Sequence, residues 1–171
     1  MGSLTLKICQ IVGYKNSGKT TFMGKLLAYL TNKGVTCASL KHHGHQEKDP
    51  LLFGDSGKHF GHGGSPASLV CPSFSHVSYR VEPPLEAFLA FYREIPGLNW
   101  LLIEGYKEAS FPKMVLIKDL TEWERLSSLK NILTVVTDNR DVVKLAANTF
   151  PVFNRNDAEE VGRFLLDKES W

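Results

Sequence analysis

The chain has 171 residues, 43% of them hydrophobic, which suits one globular domain with a buried core. Its 20 Lys and Arg residues nearly balance 18 Asp and Glu residues, and a formal net charge of +2 excludes the strongly basic surfaces of nucleic-acid-binding and membrane-surface proteins. No apolar run approaches the roughly 20 residues of a membrane-spanning helix, so we expect neither nucleic-acid nor membrane partners.

The first 40 residues predict a β-strand, a glycine-containing loop, a helix and a second strand. Residues 4–12 are mostly apolar, as expected of a buried strand. After the loop, Phe22, Leu26 and Leu30 recur every four residues and define one face of a helix. Lys33 and Gly34 then end the helix, and residues 35–40 are typical of a second strand. Such a βαβ unit places its strands parallel in one sheet.

The composition changes between residues 41 and 66, where five of the six histidines occur without a sustained apolar period. A segment this long and irregular inside a compact domain is usually functional. Beyond it, apolar patterns predict strands at 68–71, 76–81, 99–104, 114–117 and 132–137, and helices at 83–93 and 157–168.

The three cysteines are odd in number and widely spaced, and no Cys-x-x-Cys pair occurs. Such a set is typical of buried thiols in a reducing compartment rather than of a disulfide framework or a zinc site. The N-terminus also lacks the charged and apolar segments of a secretory signal. We therefore expect a cytoplasmic protein.

The loop after the first strand, Gly13-x-x-x-x-Gly18-Lys19-Thr20, matches the Walker A pattern. Glycines let successive backbone N–H groups converge on phosphate oxygens, and the following helix directs the positive end of its dipole to the same place. Lys19 is expected to reach the β- and γ-phosphates, and the Thr20 hydroxyl to bind Mg²⁺. The predicted phosphate-binding residues are Gly13, Asn16, Ser17, Gly18, Lys19, Thr20 and Thr21. The motif predicts a P-loop NTPase-like three-layer α/β/α fold with a mostly parallel sheet, in a single domain over residues 1–171.

An acid for the Mg²⁺ site is expected at the end of a neighbouring strand. Residues 101–105 (LLIEG) supply Glu104, because an apolar strand that ends in an acid and a glycine presents the carboxylate at the ligand-binding edge of an open α/β sheet. Lys107 adds a charge to the same rim. Asp49 is a further candidate for the metal site.

Several polar residues follow the second predicted strand, at the same edge. Two interpretations of Lys41, His42, His43 and His45 remain open: a transition-metal site, or a polar rim that binds phosphate or a second anionic ligand. We prefer the rim.

Base recognition and catalysis leave weaker signals. The N-K-x-D base-reading motif is absent, and Asp138 with Asn139 after a predicted strand is the candidate for a purine contact. The arginines are scattered rather than grouped in a lid, which disfavours a P-loop kinase. No residue that orients water for hydrolysis is identifiable, so no catalytic residue is assigned and at most slow hydrolysis is expected.

Taken in order, the motifs resemble those of one family. GYKNSGKTT (13–21), LKHHGH (40–45), GDS (54–56), LLIEGYK (101–107), PKMVLIKD (112–119) and VVTDN (135–139) are similar to segments of the molybdopterin-guanine dinucleotide biosynthesis adaptor proteins, the MobB family. The ordered set covers most of the chain and is much more specific than Walker A alone.

The resemblance implies a GTP- and Mg²⁺-binding adaptor of the molybdenum cofactor pathway. It implies a guanylyltransferase as the partner, molybdopterin as a second candidate partner, and a homodimer. It also places Glu104 beside the metal and Lys41, His42 and Asp55 in a second-ligand region. A P-loop small-molecule kinase and a histidine-based metallochaperone GTPase remain the alternative functions.

Overall fold

The computed structural model describes residues 5–43 and 55–168. The chain divides into two compact units, of which unit 1 comprises Met1–His43 with Ile95–Trp171 and unit 2 comprises Gly44–Glu94. The expectation of one domain over the whole chain stays a prediction.

Helices and strands alternate at the start of unit 1 and again from β6 onward, whereas no described helix of unit 1 separates β2, β5 and β6. In chain order the elements are β1 (Lys7–Val12), α1 (Lys19–Asn32), β2 (Cys37–Lys41), α2 (Asp55–Gly61), β3 (Ala67–Val70), β4 (Ser75–Ser78), α3 (Leu85–Arg93), β5 (Trp100–Glu104), β6 (Lys113–Leu116), α4 (Leu120–Leu126), β7 (Ile132–Val136), α5 (Arg140–Ala146), β8 (Val152–Phe153) and α6 (Ala158–Asp167).

Unit 1 is built on a six-stranded sheet in the order β2-β5-β1-β6-β7-β8, and every strand pair in it is parallel. β1 therefore lies inside the sheet, between β5 and β6. The carboxyl ends of parallel strands meet at one edge, so the segments that follow β1, β2 and β5 converge there.

Helices cover both faces of this sheet, which confirms the predicted three-layer α/β/α fold. α1 and α6 pack on one face through side chains such as Leu26 and Val161, and α4 and α5 pack on the other through Leu126 and Val142. Residues 114–117, which span most of β6 and the residue after it, are apolar without a break because both faces are buried: Met114 and Leu116 enter the first core, whereas Val115 and Ile117 enter the second.

Three elements of unit 1 were not predicted, because each is short. α4 and α5 have seven residues apiece, and β8 has two. Side chains nevertheless fix where both helices begin: Asp119 Oδ1 accepts from the Glu122 N–H at 2.9 Å, and Asn139 Oδ1 accepts from the N–H of Asp141 at 3.0 Å.

Unit 2 contains α2, a two-stranded antiparallel sheet of β3 and β4, and α3. α2 lies inside the stretch that the sequence analysis expected to be irregular. The predicted strand over 76–81 is wrong at its end, since β4 stops at Ser78. There the Arg80 N–H donates to Ser65 Oγ at 3.0 Å instead of to a strand partner. Across the described residues of both units, no helix is long and apolar enough to span a membrane.

Candidate functional site

The phosphate loop, residues 13–18, connects β1 to α1. Asn16 has a φ of 60° and Gly18 a φ of 84°, so both lie in the left-handed region. Backbone of this kind turns N–H groups toward one side and forms an anion-binding concavity. At Gly13 an added Cβ atom would lie 2.6 Å from Ser17 Oγ and 2.7 Å from Leu116 O, so only glycine fits. The loop geometry therefore suits a phosphate group.

Lys19 begins α1, and its ammonium group lies against this loop. Its Nζ donates to Tyr14 O at 2.7 Å and to Ser17 Oγ at 3.4 Å. Partial burial lowers the pKa of Lys19 from its ordinary value; Glu104 opposes this shift and Lys41 adds to it. A partly desolvated cation beside converging N–H groups attracts phosphate oxygens more strongly than one in bulk water.

Glu104 is the acid that β5 brings to the phosphate loop. The carboxylate is 7% exposed, and Thr20 Oγ1 donates to it at 3.0 Å from both Oε1 and Oε2. Lys41 lies opposite Glu104 in the pairing of β2 with β5, and its Nζ is 3.7 Å from Oε1. The structure thus brings together Thr20 and Glu104, two of the three residues predicted for Mg²⁺, with the predicted rim lysine beside them.

The segment after Glu104 is held in place by contacts with one residue in β1 and one residue that follows β2. Gln10 is fully buried in β1, and its Nε2 donates to Gly105 O at 3.0 Å and to Tyr106 O at 2.6 Å. The Tyr106 ring stacks on the His42 ring with centroids 4.1 Å apart. Gly105 has a φ of 102°, and a Cβ there would lie 3.0 Å from His42 O, which explains the glycine after the acid.

More cations surround the same loop. The ammonium group of Lys107, predicted for the rim, lies 5.7 Å from the centre of the Tyr14 ring. Lys118 follows β6, and its Nζ lies 3.0 Å from Glu122 Oε1. Both members of this pair act on Lys19, whose pKa Glu122 raises and Lys118 lowers. The pair was not predicted from the sequence, although its i, i+4 spacing was a usable signal.

A cavity of about 260 Å³ adjoins the phosphate loop, between the start of α1 and the residues that follow β7 and β8. Asp138, predicted for a purine contact, lines this cavity, and its Oδ1 accepts from the Arg155 N–H at 3.1 Å. The amide oxygen of Asn139 caps α5, and its predicted base contact stays a prediction. Arg155 and Asn156 also line the cavity and were missed, because β8 was not predicted. Thr21, predicted for phosphate, lies on the cavity wall.

The histidine-rich segment is only partly described. His43 is exposed after β2, whereas His45 and Asp49 lie outside the described residues. Asp55 begins α2 in unit 2, and its side chain is likewise outside what the structure describes. Within the described ranges, no three His, Cys, Asp or Glu side chains are grouped so that they could hold a metal ion.

Comparison with known proteins identifies the family. The family model for "Molybdopterin guanine dinucleotide synthesis protein B", MobB, matches residues 8–138. The chain belongs to the MobB family. The match includes the phosphate loop, Lys41, Glu104 and Asp138.

Relatives agree with this assignment along nearly the whole chain. The probable molybdopterin-guanine dinucleotide biosynthesis adapter protein of Bacillus subtilis (strain 168) is 30% identical over 152 residues, covering 88% of this chain and 86% of that protein. The corresponding adapter protein of Escherichia coli (strain K12) is 26% identical, with 97% and 95% covered.

Solved structures of MobB proteins share the fold. Bacillus subtilis MobB superposes with a TM-score of 0.77 at 25% identity, covering 96% of this chain and all of the other. A MobB homolog from Bacillus stearothermophilus gives a TM-score of 0.70 at 27% identity, covering 94% and 95%. The predicted family and fold are therefore confirmed.

Proposed function

We propose that the chain is a GTP-binding adapter of molybdopterin guanine dinucleotide biosynthesis that supports a partner guanylyltransferase in the cytoplasm. The observation that carries the proposal is the arrangement of Lys19, Thr20 and Glu104 around a phosphate loop whose glycine positions allow close approach. Family membership supports the pathway and the adapter role.

The residues at the loop suit Mg²⁺ bound with a triphosphate. Mg²⁺ prefers oxygen ligands and usually keeps several waters beside one or two carboxylates and substrate phosphates. Thr20 and Glu104 supply a hydroxyl and a carboxylate in contact with each other. Mg²⁺ would neutralise phosphate charge there. Lys19, which now donates to the Tyr14 carbonyl, would donate to β- and γ-phosphate oxygens instead.

The cavity beside the loop suits a guanine base. The Asp138 side chain is 51% exposed and lines the cavity, so its carboxylate has access to a ligand. A carboxylate accepts hydrogen bonds and cannot donate when ionised. Guanine presents N1–H and N2–H₂ donors on one edge, whereas adenine has an acceptor at N1 and no 2-amino group. Asp138 therefore favours GTP over ATP.

This proposal is tested by calorimetric titration of the parent with GTP, ATP and XTP, each with Mg²⁺. We expect GTP to bind at least tenfold more tightly than ATP. In Asp138→Asn, GTP affinity falls at least tenfold and XTP affinity rises, because the carboxamide donates to the 2-oxo group of xanthine. Asp141→Asn is the matched control, since Asp141 is exposed on α5 and pairs with Lys144. Equal GTP and ATP affinities in the parent would contradict guanine recognition.

The adapter role is separated from a kinase by a second assay. An adapter raises the yield of molybdopterin guanine dinucleotide when it is added to the partner guanylyltransferase and GTP. A small-molecule kinase would instead transfer labelled γ-phosphate to an acceptor. Transfer without any effect on the guanylyltransferase would contradict the adapter proposal.

A homodimer completes the proposal. The hairpin of β3 and β4 in unit 2 exposes Val70 (77%), Phe74 (53%) and Val77 (45%). A two-stranded ribbon with exposed apolar side chains is marginal by itself and is stabilised by pairing with another chain. A second copy of the chain offers the same surface and closes such a contact by twofold symmetry.

A further inference from the structure

Arg155 connects the base cavity to the phosphate loop. It follows β8, and its Nη2 donates to Ser17 O at 3.0 Å. Its backbone N–H donates to Asp138 Oδ1 at 3.1 Å. Ser17, Asp138 and Arg155 all line the cavity, so Arg155 contacts the residue proposed for the base through its backbone and the loop proposed for the phosphates through its side chain.

The Nε group of Arg155 is not within hydrogen-bond distance of the Asp138 carboxylate. Its Nε is buried and has no hydrogen-bond partner among the described residues, and Asp138 Oδ2 lies 3.9 Å away. A buried donor without a partner is unfavourable. A shift of about 1 Å by the carboxylate would bring the two atoms within hydrogen-bond distance.

The hydrogen bond from Arg155 to the Ser17 carbonyl sets the direction of the Gly18 N–H. Across a trans peptide bond, the C=O of one residue and the N–H of the next point in opposite directions. The direction of the Ser17 carbonyl therefore sets the direction of the Gly18 N–H, which belongs to the predicted phosphate cradle. Arg155 holds that carbonyl on its own side, so the Gly18 N–H points away from Arg155.

We propose that Arg155 is a positioning residue that makes phosphate binding depend on the base in the cavity. This inference rests on the proposed function. A base that binds the Asp138 carboxylate fixes it in the position where it pairs with Arg155 Nε. This ion pair holds the guanidinium group in place. The guanidinium group in turn holds the Ser17–Gly18 peptide in the orientation that binds phosphate. The binding free energy of GTP then exceeds the sum of the separate contributions of its base contacts and its phosphate contacts.

The test compares two ligands, Mg²⁺–GTP and Mg²⁺–tripolyphosphate, by calorimetry. The ratio of their affinities measures what the base adds. We expect Arg155→Gln to lower this ratio at least fivefold and Asp138→Asn at least tenfold, because Asp138→Asn also loses the direct contact with the base. The double variant should lower the ratio no further than Asp138→Asn does, since Arg155 acts only through Asp138. Arg163→Gln, a change at an exposed arginine on α6, serves as the control and leaves the ratio unchanged.

The outcomes distinguish this role from simpler ones. If Arg155 only stabilised the loop, both ligands would lose affinity equally and the ratio would stay constant, which would overturn the inference. Additive losses in the double variant would also overturn it, because Arg155 would then act independently of Asp138. Arg155→Lys keeps the charge but not the planar fork; a folded Lys variant with the parent ratio would count against the proposal as well. A parent that binds no GTP would contradict the proposed function itself, and this inference with it.

Discussion

At the residue scale, Lys113 shows how a buried charge holds the segment between Glu104 and β6. It is 1% exposed, and its Nζ donates to three carbonyl oxygens: Ala109 at 2.7 Å, Phe111 at 3.0 Å and Lys130 at 2.8 Å. All three ammonium hydrogens are thereby used. Burial lowers the pKa of Lys113 from its ordinary value, and Glu108 opposes that shift.

Replacing Lys113 with Met should destabilise the protein by about 2–4 kcal/mol, because three backbone carbonyls lose charge-assisted hydrogen bonds from the buried ammonium group while side-chain volume is nearly kept. Urea unfolding measures this change. Lys130→Met is the control, since that side chain is exposed and its backbone carbonyl stays in place. A loss below about 0.5 kcal/mol for Lys113→Met would show that the three bonds contribute little.

Sequence patterns identified the site residues that belong to a motif. They did not identify the residues outside the motifs that hold those segments in place. Walker A and a strand ending in Glu-Gly led to Lys19, Thr20 and Glu104, which the structure brings into one site. Gln10 was hidden inside an apolar strand, where nothing in the sequence signals its contacts with the segment after Glu104. Arg155 lies 138 positions from Ser17 in the chain, so only the folded sheet reveals their contact.

At the scale of secondary-structure elements, the close packing of α1 on α6 depends on a glycine. An added Cβ at Gly162 would lie 2.3 Å from Tyr29 Cδ1 and 2.6 Å from Cε1. The sequence predicted α6 from its apolar face but gave no reason for a glycine within it. The reason is the aromatic ring from α1 that lies against that position.

Gly162→Ala should therefore destabilise the protein by about 1–3 kcal/mol through overpacking, despite the better helix propensity of alanine. Gly24→Ala is a matched control in α1, where an added Cβ meets no atom within 4 Å. That change should stabilise by about 0.5–1 kcal/mol. Thermal unfolding of both variants measures the difference; a stabilised Gly162→Ala would mean that the Tyr29 ring moves aside at no cost.

The short helices α4 and α5 could not be predicted from the sequence. α4 and α5 bury residues four positions apart, Glu122 with Leu126 and Val142 with Ala146, which is a single helical repeat. One repeat is too little to distinguish from a loop, because helices of that length gain most of their stability from tertiary packing. Asn139, which caps α5, was predicted only as a base contact, since a polar pair after a strand fits both roles.

At the scale of the whole molecule, the exposed hairpin of unit 2 makes the proposed dimer testable. Val70→Glu places a charge on the most exposed apolar residue of β3 and should convert a dimer into a monomer in light scattering of the full chain. Leu145→Glu, at an exposed apolar position on α5, should leave the dimer intact. A Val70→Glu variant that stays dimeric would place the interface elsewhere.

The central claim is that the turn entering α1 binds the triphosphate of GTP through Lys19. The most direct measurement is calorimetric titration of Mg²⁺–GTP into the parent, Lys19→Ala and Lys144→Ala, of which the last removes the same charge from an exposed position on α5. We expect the parent and Lys144→Ala to bind GTP equally and Lys19→Ala to lose at least a hundredfold in affinity. Undiminished binding by Lys19→Ala would contradict the account.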